Sequence, residues 1–172
     1  MRKIKYYIIF LITVLALTSC RKLEQLPPAP HISFTSFAVF DTTDILGNIA
    51  KGGRLLFYFE DGDGDLGLEE PSKIQTDTTN MFFTLFRKTG GLMIPASDND
   101  PLEPSSYRIP YMERLGQNKI LKGTISVTFL YLSYYKSDTI RYDFYIKDRA
   151  GNESNTASTS DIALYTNKIY AN

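Results

Sequence analysis

Alternating apolar and polar positions dominate the chain. Ile125, Val127, Phe129 and Tyr131 alternate with Thr124, Ser126 and Thr128, and Ile140, Tyr142, Phe144 and Ile146 alternate with Arg141, Asp143, Tyr145 and Lys147. A period of two sends every second side chain to the same face of an extended strand, so both stretches read as strands with one buried face. Residues 55–59 and 81–86 are nearly continuous apolar runs, as expected of central strands covered more fully, and residues 32–40 open the folded part in the same manner. Residues 107–112 and 161–165 are weaker, edge-like candidates. Seven such segments, joined by turn-rich connections and without a long amphipathic helix, predict an all-β fold of two packed antiparallel sheets of the immunoglobulin- or fibronectin-like kind. A closed barrel is the alternative.

The start of the chain has a different pattern. Arg2, Lys3 and Lys5 precede an apolar run over residues 6–17, followed directly by Leu17-Thr18-Ser19-Cys20. The run is short of the roughly 20 apolar residues a membrane-spanning helix needs. Leu-Thr-Ser-Cys resembles the lipobox of bacterial lipoproteins, which implies cleavage before Cys20 and covalent lipid on its sulfur and new amine. Burying acyl chains is worth about 0.8 kcal/mol per CH₂, so several chains would hold the protein on a membrane. Cys20 is then an anchor and not a catalyst. Pro27, Pro28 and Pro30 favour extended backbone and read as a semi-rigid tether. The expected organisation is a signal peptide over 1–19, lipidated Cys and tether over 20–31, and one β-sandwich domain over 32–172. Arg21 stands where, in such lipoproteins, an Asp can cause retention at the inner membrane, which points to the outer membrane; the leaflet stays open.

Composition narrows the function classes. Nineteen Lys+Arg balance 19 Asp+Glu, so no basic excess argues for nucleic acid and no acidic excess for disorder. Removal of residues 1–19 takes Arg2, Lys3 and Lys5 and no acid, leaving a mildly acidic domain with 16 basic residues against 19 acidic ones. With 12 Tyr, 11 Phe and 43% hydrophobic residues, there is enough apolar surface for a core rich in strand formers. One Cys and one His remove disulfide frameworks, Cys/His zinc sites and most nucleophile-plus-imidazole chemistry. His31 reads as a solvated residue beside the tether. Gly52-Gly53 and Gly90-Gly91 lack the context of a phosphate-cradling loop and read as turns. A non-enzymatic protein is expected.

Residues 60–70 carry the most chemistry. Glu60, Asp61, Asp63, Asp65, Glu69 and Glu70 place six carboxylates in eleven residues without a Lys or Arg. Such a cluster repels itself unless a cation neutralises it. Ca²⁺ takes six to eight oxygens at about 2.3–2.6 Å, and Asp at every second position with glycines between can supply several from one loop. The phrase resembles calcium-binding loops but departs from the EF-hand, with Leu66 in place of its Gly, Ser72 in place of its bidentate Glu, and a strand before it.

Residues 148–154, Asp-Arg-Ala-Gly-Asn-Glu-Ser, resemble a turn of many bacterial immunoglobulin-like and fibronectin-like domains, where Gly151 and Asn152 would take positive φ. In such a sandwich the loops after the second and sixth strands share one end. The expected calcium ligands are therefore Asp61, Asp63 and Asp65, with Asp148 or Asn152 across the gap and Glu69 as a weaker contributor. Tyr131, Tyr134 and Tyr135 gather where two strands should turn and are candidates for partner contact, with core packing as the other reading. Together the lipobox, tether, Asp-Gly loop and late turn are similar to small envelope lipoproteins of Bacteroidota. That resemblance implies envelope localisation and a sandwich domain, and no known reaction. The expected function is an envelope binding or scaffolding module, with a glycan-binding accessory lipoprotein as the alternative; the absence of Trp weakens the glycan reading.

Overall fold

The computed structural model describes residues 3–5, 26–70, 79–97, 99–113 and 119–171. The lipobox, Cys20 and the tether up to residue 25 lie outside them. Among the described residues nine strands are formed: β1 (His31–Thr43), β2 (Ile49–Asp61), β3 (Met81–Thr89), β4 (Leu92–Pro95), β5 (Leu121–Tyr131), β6 (Thr139–Ile146), β7 (Ala157–Ser158), β8 (Ile162–Ala163) and β9 (Lys168–Ala171). They make two antiparallel sheets, one ordered β5-β2-β1-β9 and the other β4-β3-β6-β7 with β8 also on β6. The sheets pack face to face as an immunoglobulin-like sandwich. No ladder joins them among the described residues, so the barrel is not formed.

Alternation along each strand builds the core. Leu55, Phe57 and Phe59 of β2 and Ile140, Tyr142, Phe144 and Ile146 of β6 are all buried, each full burial being worth about 1.5–3 kcal/mol. Rings from opposite sheets meet directly: Phe57 and Phe144 edge-on at 5.3 Å, Phe83 and Phe129 at 5.5 Å, and Phe129 stacked on Tyr142 at 5.4 Å. At one end of this core the Tyr131 and Tyr142 hydroxyls lie 3.1 Å apart, and Tyr142 donates to the Leu102 carbonyl at 2.9 Å.

Several sequence expectations need correction. Gly52-Gly53 is not a turn but lies inside β2, where a Cβ would come within 2.4 Å of the Phe40 ring at Gly52 and 2.5 Å of the Phe37 ring at Gly53. Gly90-Gly91 does turn, linking β3 to β4 with φ of 60° and 87°. His31 is the first residue of β1, exposed and opposite Glu60. Residues 107–112 form no strand and hold only the bridges Met81–Tyr107 and Leu68–Pro110, since Pro110 has no N–H to donate to a ladder.

Register fixes the two ends of the sandwich. His31 pairs with Glu60 and Leu121 with Asp61, whereas Thr43 pairs with Ile49 and Tyr131 with Lys51. The end of β2 is thus near the tether, and the β1–β2 turn, with exposed Ile45 and Leu46, is at the far end.

Candidate metal centre

Asp61 is the last residue of β2 and continues the inward-facing series of Leu55, Phe57 and Phe59. Strand periodicity thereby delivers a carboxylate to the end of an apolar core, where Asp61 is 0% exposed. Its Oδ2 accepts from the Leu66 N–H at 2.8 Å, and fully buried Leu66 anchors the loop back into the core. The loop curls because Gly64 and Gly67 take φ of 66° and 94°. It is fastened outside by Leu68 N–H to the Ile109 carbonyl at 2.9 Å and by Arg108 Nη2 to the Leu68 carbonyl at 2.8 Å.

The turn after β6 meets this loop. Ala150 N–H donates to Asp65 Oδ2 at 3.1 Å, Arg149 N–H to the Asp65 carbonyl at 3.4 Å and Arg149 Nη1 to the Gly67 carbonyl at 2.7 Å. Asp148, 3% exposed, accepts Asn152 N–H at Oδ1 (2.7 Å) and the Asn152 side-chain amide at Oδ2 (2.8 Å). Gly151 turns the chain with φ of 90°, while Asn152 does not share the positive φ expected of it.

One carboxylate oxygen from each of Asp61, Asp63, Asp65 and Asp148 lies within 4.8 Å of the other three. At that spacing, and with an effective dielectric of about 20, each ionised pair repels by roughly 3–4 kcal/mol. The buried Oδ1 atoms of Asp61 and Asp65 carry no hydrogen bond. Burial first, then the charges of Asp63 and Asp65, push the Asp61 carboxyl up from its ordinary 3.8 to about 6, against the lowering effect of the Leu66 N–H. Asp65 is raised by burial and then by Asp148 and Asp63, with Arg149 partly opposing. That guanidinium is spent on the Gly67 carbonyl and the Tyr111 ring. All-oxygen donors of high negative charge, two of them with an oxygen left unbonded, fit a hard divalent cation such as Ca²⁺.

The other candidates divide. Glu69 is exposed and outside this group of four. Asn152 donates its amide nitrogen to Asp148 Oδ2 and so orients that carboxylate. Tyr131, 3% exposed and bonded to Tyr142, is a core residue and not a partner contact, because it continues the inward alternation of Val127 and Phe129. Tyr134 is half-buried against the core, and Tyr135 is 75% exposed.

Two asparagines escaped the sequence reading. Asn155 accepts the Ile32 N–H at 2.8 Å and donates to the Ile32 carbonyl at 2.9 Å, acting as a strand partner for the start of β1. Asn80, 2% exposed, accepts Ile109 N–H at 2.7 Å and donates to the Lys147 carbonyl at 3.2 Å, tying the flank of the loop to β6. Only partner geometry separates such residues from ordinary loop asparagines. Comparison of the chain with protein families, curated proteins and solved structures gives no match.

Proposed function

We propose that this protein is a lipid-anchored binding or scaffolding module of a bacterial outer membrane, working without catalysis, in which Ca²⁺ staples the 61–65 loop to the 148–152 turn. The observation that carries the cation is the convergence of four carboxylates from chain segments more than eighty residues apart, one of them fully buried with an unbonded oxygen. Four carboxylates supply part of the six to eight oxygens calcium takes, with carbonyls or water for the rest. Envelope attachment is supported by Leu17-Thr18-Ser19-Cys20 and the basic and apolar run before it. Binding at the end away from the tether is supported by exposed Ile45, Leu46, Leu132 and Tyr135. Titration calorimetry of the purified protein should find one Ca²⁺ per chain and none in Asp63→Ala, and palmitate should label the wild type but not Cys20→Ser. Wild-type protein without calcium heat contradicts the metal reading; a labelled Cys20→Ser contradicts the anchor.

A further inference from the structure

Gly62 stands in the carboxylate loop for a different reason from its neighbours. Gly64 and Gly67 hold positive φ angles, whereas Gly62 does not. A Cβ on Gly62 would instead lie 2.3 Å from the Pro27 carbonyl oxygen and 2.4 Å from that of Leu26. Its N–H donates to the same Pro27 carbonyl at 3.1 Å. Position 62 therefore needs a glycine because the tether backbone passes directly across it. Gly62 is flanked by Asp61 and Asp63, two of the four facing carboxylates. The Pro-containing segment is thus docked, main chain to main chain, on the loop that carries Asp61, Asp63 and Asp65.

We propose that the loop is a cation-controlled clasp for the tether: an ion held by Asp61, Asp63, Asp65 and Asp148 fixes Gly62 against the Leu26–Pro27 backbone, and loss of the ion releases it. The clasp rests on the cation-binding reading above. Its physical route is short, because repulsion between the carboxylates on either side of Gly62 displaces the very backbone that receives the tether, and a shared cation removes that repulsion. Linkage makes the effect reciprocal, so a docked tether also tightens the ion. The consequence is reach. At about 3.3–3.6 Å per extended residue, a tether docked at Leu26 keeps the calcium end within roughly 20 Å of Cys20, whereas release back to His31 extends the span to roughly 40 Å. Ion occupancy would set how far the domain stands from its anchor.

The sequence has one Cys, so a full-length chain carrying Cys20→Ser and Leu26→Cys presents a single thiol at the half-buried docking residue. Its rate of maleimide labelling is measured with millimolar Ca²⁺ and with chelator. Calcium should slow labelling by roughly fivefold or more, and Gly62→Ala should erase the difference while calorimetry still records calcium binding. Equal rates with and without calcium, in protein that calorimetry shows to bind the ion, overturn the clasp and leave the cation site standing. Absence of calcium heat overturns both. Should Gly62→Ala fail to fold, exchange of the Gly62 amide in the unsubstituted chain replaces it; slower exchange with calcium supports the clasp, and unchanged exchange overturns it.

Discussion

Asp61 is placed by the same alternation that places Phe57 and Phe59, and this makes it the most informative single residue in the molecule. With its carboxyl pushed up to about 6, the metal-free folded state binds a proton more tightly than the unfolded chain does. Stability of chelated protein should therefore rise as pH falls from about 7 to 5, by on the order of 1 kcal/mol. Below about pH 4 the trend should reverse, because Asp100, held below the usual carboxylate range chiefly by its hydrogen bond from Arg87, loses that support on protonation. Urea melts across this range check both limbs, and Asp61→Asn should flatten the first. A chelated protein that loses stability steadily from pH 7 downward would contradict the buried, mutually repelling carboxylates. At this scale Asp61, Asp63, Asp65 and Asp148 were legible from spacing and turn chemistry. The roles of Asn80, Asn155 and Gly62 were not, because each depends on a backbone group brought from elsewhere by the fold.

Among the elements, strongly periodic strands were legible and short ones were not. The pattern over 140–146 corresponds to β6 almost residue for residue, and that over 125–131 covers the C-terminal part of β5, which begins four residues earlier at Leu121. The two to four residues of β4, β7 and β9 are too few to show a period and are held by neighbours already in place. The expected strand at 107–112 is absent and β4 takes its place in the count, so β6 is still the sixth strand and its turn still meets the loop after the second. The glycine pair in β2 escaped because glycine ordinarily punctuates a turn, whereas here Phe37 and Phe40 rings occupy the space over it. Gly53→Ala should accordingly destabilise the domain by about 1–3 kcal/mol through overpacking against Phe37 and Tyr131. Denaturant midpoints measure this, and an unchanged or raised midpoint would mean that the rings move aside freely.

Taken as a whole, the molecule divides, on the proposed reading, into a core that does not depend on metal and a carboxylate-lined end that does. The aromatic contacts between the sheets lie along the strands, away from the carboxylates, so chelated protein should keep its β-type circular dichroism. Calcium at one hundred times its dissociation constant should add about 2.7 kcal/mol, which raises the melting temperature by roughly 5–10 °C for a domain of this size. A random-coil spectrum in chelator would contradict that division. The central claim is that one cation joins the loop after β2 to the turn after β6. It is tested most directly by anomalous diffraction from crystals grown with calcium. The expected result is a single peak at about 2.3–2.6 Å from oxygens of Asp61, Asp63, Asp65 and Asp148; no peak there, or an ion bound by one of the two segments alone, would contradict it.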